Sequence, residues 1–307
     1  MSSMTDRESG EEGFLRWLAA TSERVPELLV PPGDDAAVWS LGEDRSIVLA
    51  ADAVAEGTHF RPGEDPLLIG RKALAVNLSD LAAMGAEPLC ALATCSLPHG
   101  FDPALPRRLV EGIRELGSAH HCPLVGGDTI YADGPLSLSV TVIGSPLPGG
   151  PVLRSGGRAG DLLGLTGALG GSLRGRHLRF VPRLAEARRL LELGPPSAMM
   201  DVSDGLLLDL HRLADACGLG FRLRCDDLPV HPDAGWDGRD PLQAALSDGE
   251  DFELLVAAPK EVLARMRDEW NLETPLTIIG ELIEGETRTM IRKGVERPAP
   301  RKGHVHR

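Results

Sequence analysis

Aromatic residues are scarce in this sequence. Phe, Trp and Tyr together make up 4% of the 307 residues, and the formal net charge is −13. Proteins that bind single-stranded nucleic acid stack its bases on aromatic rings, and an excess of acidic residues repels the phosphate backbone. We therefore expect no nucleic-acid partner.

Segments that would hold the chain in a membrane are also absent. No apolar run reaches the roughly 18 residues of a spanning helix, and the polar start MSSMTDRESGEEG does not resemble a signal peptide. The five cysteines are an odd number without a CxxC pair, which favours reduced thiols over disulfides or a zinc site. These features predict a cytoplasmic protein without a membrane partner.

Several familiar nucleotide-binding and catalytic signatures do not occur. The chain contains no GxxxxGK[ST] loop, no GxGxxG between a predicted strand and a helix, no GxSxG and no HRD–DFG pair. These motifs would indicate a P-loop, a dinucleotide site, a hydrolase elbow and a protein kinase. A nucleotide bound here must be held through metal ions rather than by a phosphate-cradling loop.

The length of 307 residues suits two domains. Segment 46–54, SIVLAADAV, and the alternating segment 135–144, PLSLSVTVIG, are predicted strands. Between them, DPLLIGRKALAVNLSDLAAMGAEP predicts a helix with Asp65 as its cap and Pro66 at its first position. Segment 145–161 is dense in Pro and Gly and predicts a domain boundary.

The second half of the chain mixes the same kinds of element. DLLGLTG predicts a strand, and SDGLLLDLHRLADACG predicts a helix capped by Ser203 and ended by Gly218. We therefore predict an α/β (α+β) protein, with an N-terminal domain over residues 1–147 and a C-terminal α/β domain over residues 148–307.

Acidic residues recur beside Gly, Ala or Ser where a predicted apolar element meets a turn. They are Asp34 and Asp35 in GDDAAV, Asp52 in AADAV, Asp80 in NLSDLAAMGA, Asp128 in GGDT, Asp201 and Asp204 in DVSDG, and Glu250 and Asp251 in SDGEDFELL. Each one alone is consistent with a turn, a helix cap or a surface charge. Taken together, oxygen ligands without His or Cys favour hard cations, above all Mg²⁺.

The helix around Asp80 strengthens this interpretation. KALAVNLSDLAAMGA is apolar or small almost all round, which predicts a buried helix. A carboxylate inside such a helix must be paired or bound to a metal ion.

In order along the chain, these pieces resemble the thiamine-monophosphate kinase family, of the superfamily that includes aminoimidazole ribonucleotide synthetase. The matching segments are PPGDDAAV, ADAVAEGTHF, GRKALAVNLSDLAAMGAEP, GGDT, LRSGGRAGDLL, DVSDGLLLDL and SDGEDFELL. The resemblance implies phosphoryl transfer from ATP to thiamine monophosphate with several Mg²⁺ ions. It also implies a two-domain, aminoimidazole ribonucleotide synthetase-like architecture, with a homodimer whose N-terminal domains form a shared barrel.

The resemblance also implies roles for individual residues. The metal ligands are Asp35, Asp52, Asp80, Asp128, Asp201 and Asp204; the ATP contacts are Gly127, Asp128, Arg154 and Ser203; the substrate contacts are His59, Glu250 and His304. No dedicated catalytic residue is expected, because phosphoryl transfer depends on positioning and on charge neutralisation.

The sequence departs from the family pattern at three places. Ala50 and Ala51 stand where the family usually has Ser-Thr, so a hydroxyl ligand is lost. The segment Asp248–Asp251 reads DGED rather than GGED, and His304 replaces a tail aromatic. Two alternatives therefore stay open: a related ATP-dependent enzyme acting on another small acceptor, and a catalytically silent nucleotide- or metal-binding homologue.

Overall fold

The computed structural model of the chain describes residues 11–303, except the side chains of residues 11, 12 and 16. The helices are α1 (Glu11–Thr21), α2 (Pro66–Ala83), α3 (Leu105–Ala119), α4 (Leu184–Leu193), α5 (Leu206–Cys217), α6 (Pro241–Ser247) and α7 (Lys260–Asp268). The strands are β1 (Leu28–Val30), β2 (Ala37–Gly42), β3 (Arg45–Ala55), β4 (Ala86–Pro98), β5 (Leu124–Ala132), β6 (Ser137–Pro146), β7 (Leu162–Thr166), β8 (Ala198–Val202), β9 (Gly220–Arg224), β10 (Glu253–Ala258), β11 (Leu276–Ile283), β12 (Arg288–Arg292) and β13 (Val295–Pro298). Short 3₁₀ turns lie at 172–174, 176–178 and 225–227.

The strands form two separate mixed sheets. The first has the order β1-β2-β3-β6-β4-β5, and the second has the order β13-β12-β9-β11-β7-β10-β8. Most neighbours are antiparallel, whereas β4 pairs with β5, and β9 with β12, in parallel. This architecture confirms the predicted α/β (α+β) class.

Helix α2 lies between the two sheets. It contacts α3, β3 and β6 from the first half of the chain, and α4 and β8 from the second. One hydrophobic core runs through it, from Val48 and Val140 in the first sheet to Met199 and Leu254 in the second. Burial on several sides explains why its sequence is apolar almost all round.

The structure confirms the predicted start of α2. The Asp65 side chain accepts a hydrogen bond from the backbone N–H of Leu67 at 3.1 Å, and Pro66 opens the helix. This capping satisfies one of the N–H groups that have no partner inside a helix.

The predicted cap of α5 is wrong. The helix begins at Leu206 after Gly205, whose φ of +100° turns the chain out of β8, and Ser203 makes no capping hydrogen bond. Asp209 in the first turn reaches back instead, and its carboxylate accepts from the N–H of Asp204 at 2.9 Å. The end of the helix is as predicted, with Gly218 left-handed.

Across residues 11–303, no helix has the combined length and apolarity needed to cross a membrane.

Candidate active site

Three carboxylates from distant parts of the chain meet beside α2. Asp35 precedes β2, Asp80 lies near the end of α2, and Asp201 lies in β8. One carboxylate oxygen from each residue lies within 4.8 Å of the other two. Carboxylates this close repel one another unless a cation or protons balance their charge.

Electrostatics at this cluster follow from burial and repulsion. Burial raises the pKa of Asp80 well above its usual value, and the charges of Asp52, Asp201 and Asp35 raise it further. Burial likewise raises the pKa of Asp201, followed by the effect of Asp35. A divalent cation would relieve both effects, and three oxygen donors are the ligands that Mg²⁺ prefers.

Asp35 has one oxygen held in place and one without a protein partner. The guanidinium of Arg154 donates to Oδ1 of Asp35 at 2.6 Å, and the Asp35 side chain is 1% exposed. Oδ2 is buried with no hydrogen-bond partner among the described residues. A buried acceptor is normally satisfied, so the orphaned oxygen fits a metal ligand.

Asp34 binds the backbone of Arg154, whereas Asp35 binds its side chain. Both of its oxygens accept from the backbone N–H of Arg154, at 3.2 and 3.1 Å. Burial, followed by the charge of Asp35, raises the pKa of Asp34 to about 6. The pair of aspartates thus fixes the segment that carries Arg154 over the cluster.

Helix α2 orients neighbouring acids with two polar side chains. The Ser79 hydroxyl donates to Oδ2 of Asp201 at 2.6 Å, and Oδ1 of Asn77 accepts from the N–H of Asp52 at 2.9 Å. Asp52 lies in β3, close enough for its charge to affect Asp80. Four of the predicted metal ligands therefore lie in or beside one cluster.

The other two predicted ligands lie apart from it. Asp204, in the β8–α5 turn, accepts from Arg212 at 2.5 Å. Asp128 is exposed on β5, one residue after Gly127. The register aligns Asp52 in β3 with Gly127 in β5 through β6 and β4, so three strand spacings, about 14 Å along the sheet, separate them.

The predicted ATP contacts Arg154 and Ser203 border the cluster on the side of the second sheet. Ser203 directly follows β8, and its carbonyl accepts from the N–H of Glu250 at 2.6 Å. The turn after β8 is thereby joined to the loop of residues 248–252.

The predicted substrate contacts His59 and Glu250 meet at a lysine that sequence reasoning missed. The Lys72 ammonium donates to the carbonyl oxygen of His59 at 2.6 Å and to the carboxylate of Glu250. Lys72 is 0% exposed. A lysine within a helix predicted to be buried was the signal that could have identified it. His304 lies outside the described residues.

Backbone strain marks the loop of residues 248–252. Glu250 and Phe252 have φ values of +66° and +53°, which side chains other than glycine rarely adopt. Asp251 holds the loop in place, since it accepts from the N–H of Gly170 at 2.9 Å and from Arg176 at 2.7 Å. Strain of this kind persists where surrounding contacts enforce it, often at functional sites.

Comparison with known proteins agrees with this fold. Residues 33–145 match the family model "AIR synthase related protein, N-terminal domain", and residues 154–293 match its C-terminal counterpart. A thiamine-monophosphate kinase of Rhodopirellula baltica is 40% identical, over 96% of this chain and 97% of its own. The Escherichia coli K12 kinase of the same name is 34% identical, over 89% of this chain and 90% of its own.

A solved structure described as "AaThiL complexed with AMPPCP and TMP" superposes with a TM-score of 0.81. It is 28% identical and covers 96% of this chain and 98% of its own. This chain therefore belongs to the thiamine-monophosphate kinase family.

Proposed function

We propose that this protein transfers the γ-phosphoryl group of ATP to thiamine monophosphate and forms thiamine diphosphate. The observation that carries the proposal is the cluster of Asp35, Asp80 and Asp201, in a chain of this family. A relative of the same fold binds AMPPCP, an ATP analogue, together with TMP.

Mg²⁺ fits the cluster, and several ions are part of the proposal. Asp35, Asp80 and Asp201 would hold one ion, as the orphaned oxygen of Asp35 and the raised pKa values of Asp80 and Asp201 support. Asp52, Asp128 and Asp204 are the further proposed ligands. When bound, Mg²⁺ would neutralise phosphate charge and fix phosphate oxygens.

The chain contributes positioning rather than covalent chemistry. Arg154 carries a guanidinium that suits phosphate oxygens, and its backbone and side chain are fixed by Asp34 and Asp35. Gly127, Asp128 and Ser203 complete the proposed ATP contacts. The acceptor phosphate is already a nucleophile near neutral pH, so no dedicated catalytic base is proposed.

The acceptor end of the proposed site lies about two helical turns from Asp80 along α2. His59 and Glu250, joined by Lys72, are the proposed contacts of thiamine monophosphate, and His304 is proposed to approach from the tail. Acceptor and nucleotide would then face each other along α2, as in-line transfer requires.

A homodimer is part of the same proposal. Strand β5 ends the first sheet and is exposed over most of its length. Val125 and Tyr131 on it are each 60% exposed, and Ile130 is 50% exposed. An apolar edge strand of this kind is normally covered, and a second copy of the N-terminal domain, residues 1–147, would close the sheet into the shared barrel.

The C-terminal domain of the proposal covers residues 148–307. We also propose a cytoplasmic location, where the five cysteines, all free among the described residues, stay reduced.

The decisive experiment combines purified protein with ATP, Mg²⁺ and thiamine monophosphate and follows thiamine diphosphate by chromatography. Product should form in step with ADP, stop with EDTA and resume with excess Mg²⁺. ADP release only with a different phosphorylated acceptor would favour a related enzyme of the superfamily. Bound nucleotide without ADP under any condition would indicate a silent homologue.

A further inference from the structure

Lys72 is a fully buried cation on helix α2. Its ammonium group has two acceptors, the carbonyl oxygen of His59 and the carboxylate of Glu250. Glu250 is itself 5% exposed. The ion pair joins residues separated by 178 positions in the chain.

Stability alone is a poor reason for such a pair. Removing two charges from water carries a large desolvation cost, and well-packed apolar residues often stabilise a core equally well. Burial lowers the pKa of Lys72, whereas the charge of Glu250 opposes that shift. The pair therefore has a cost that a purely structural role does not explain.

The choice of lysine differs from the neighbouring pairs. Asp35 pairs with Arg154, Asp251 with Arg176 and Glu253 with Arg183. Arginine presents a planar fork that matches one carboxylate, whereas an ammonium is a compact charge with three donors. A lysine suits a point where one cation must serve acceptors from two different loops.

Those two loops are the ones that carry the proposed acceptor contacts. His59 lies between β3 and α2, and its ring Nδ1 accepts from the N–H of Ala55 at 3.1 Å. Glu250 lies in the strained loop before β10. Lys72 lies on α2 and contacts both loops.

Helix geometry connects this point to the carboxylate cluster. Seven residues after Lys72, Ser79 donates to Asp201. Seven residues are almost two turns, so both side chains leave α2 on nearly the same face, about 10 Å apart along the axis. The helix thus sets the separation between the Glu250 loop and the metal-binding end.

We propose that Lys72 is the positioning residue of the acceptor site. It connects the His59 loop to the Glu250 loop and fixes the position of both loops relative to Asp201. This inference rests on the proposed function. It predicts that Lys72 governs binding of thiamine monophosphate and leaves ATP binding largely unchanged.

The test begins with steady-state kinetics of the full chain. Wild-type turnover of thiamine monophosphate decides the proposed function by itself, before any variant is made. Lys72→Met keeps the length of the side chain and removes the charge. We expect the KM for thiamine monophosphate to rise about tenfold or more, the scale of one lost charged hydrogen bond, with the KM for ATP nearly constant.

A matched control is Arg183→Met. It removes the cation of another buried pair, in which Glu253 is 2% exposed and opens β10 directly after the Glu250 loop, so it tests whether loss of any buried cation near that loop raises the KM. We expect it to lower the melting temperature without raising the KM for thiamine monophosphate. Equal changes of both KM values in Lys72→Met, or an unchanged KM for the acceptor, would overturn the proposal.

A second variant covers the case in which Lys72→Met does not fold because Glu250 is left unpaired. The double variant Lys72→Met/Glu250→Gln removes both charges of this pair and is compared with Glu250→Gln alone. We expect the double variant to bind the acceptor more weakly, because the tie to the His59 carbonyl is also lost. Equal acceptor KM values in the two variants would contradict the proposal.

Hydrogen exchange supplies a readout that does not depend on turnover. Amides in residues 55–60 and 248–252 should exchange faster in the lysine variant, while those of α5 keep wild-type rates. Unchanged exchange in both loops would show that Lys72 does not hold them.

Discussion

The guanidinium of Arg154 donates to one oxygen of Asp35 at 2.6 Å and leaves the other oxygen buried without a partner among the described residues. Oδ1 of Asp35 is thereby fixed by Arg154, whereas Oδ2 remains available to a ligand. The hydrogen bond from Arg154 holds the Asp35 carboxylate in position without a metal ion. The cluster would consequently need little rearrangement to bind the proposed cation.

Replacing Asp201 by Asn should abolish most of the activity without unfolding the protein. The change removes one of three clustered charges, and in the metal-free protein it relieves repulsion. We expect kcat to fall about 100-fold or more, because charge neutralisation in phosphoryl transfer is worth several kcal/mol. Steady-state assays and thermal melts measure both effects. Asp268→Asn on α7, whose side chain is 65% exposed, should behave as wild type, and full activity of Asp201→Asn would contradict the metal-binding role.

Arg154→Met should weaken ATP binding and destabilise the metal-free protein. Asp35 would be left buried and unpaired, and phosphate oxygens would lose a bidentate donor. We expect the KM for ATP to rise about tenfold, the equivalent of one charged hydrogen bond. Added Mg²⁺ should recover more stability in this variant than in the wild type, because a cation replaces the lost guanidinium. A variant with unaltered ATP affinity would show that Arg154 only supports Asp35.

Gly127→Ala should damage the first sheet, whereas Gly126→Ala should be tolerated. Gly127 has a φ of +151°, and a Cβ there would lie 1.7 Å from the carbonyl oxygen of Ala93. A Cβ on Gly126 would meet only the flexible end of Leu92, at 3.2 Å. We expect the first variant to lose more than about 1 kcal/mol of unfolding free energy. Urea titrations of the two variants compare them directly, and equal stability would show that β4 and β5 are not paired as described.

Ile130→Lys should shift the protein from dimer to monomer. The residue lies on the exposed edge strand β5, and a lysine there blocks strand addition by another chain. Val295→Lys, at a site 52% exposed in the second sheet, is the matched control and should remain dimeric. Sedimentation velocity distinguishes the two states. An Ile130→Lys protein with the wild-type sedimentation coefficient would place the interface elsewhere.

Stability should fall as the pH rises through 7, in part because of Asp251. Burial raises the pKa of this carboxyl to about 7, although Arg176 opposes the shift. The pKa of an Asp in the unfolded chain is about 3.9, so the folded state binds the proton more tightly. The stabilising contribution is therefore complete below about pH 4 and is lost as the pH rises through about 7.

Asp251→Asn should flatten this dependence. The amide is neutral at every pH, so unfolding free energies measured between about pH 5 and 8 should vary less than in the wild type. The variant should also be less stable at pH 5, because an amide cannot replace every hydrogen bond to Gly170 and Arg176. An identical pH profile would show that other groups determine the slope.

The sequence predicted the parts of the fold that depend on local signals. Asp65 and Pro66 mark the start of α2 correctly, and Gly218 ends α5. The predicted cap of α5 is wrong because a Ser three residues before the helix resembles a cap, whereas the chain turns at Gly205 and uses the carboxylate of Asp209 in the first turn of the helix. Side-chain competition of this kind depends on the path of the chain after β8.

The candidate site was predicted as a set of residue types rather than as a geometry. The recurrence of acids beside small residues and the family resemblance place Asp35, Asp80 and Asp201 among six proposed metal ligands, but only the fold shows that these three meet. Lys72 was missed because its partners come from residues 59 and 250, and nothing in its own segment points to either. Contacts over such sequence separations follow from topology, which local patterns do not encode.

Because α2 belongs to the core of both sheets, one helix couples the packing of the two halves of the chain. The helix carries Asp80 of the proposed metal site and Lys72 of the proposed acceptor site, and its buried residues pack against both halves of the chain. A chain that has lost either half should therefore lose both ends of the proposed site together.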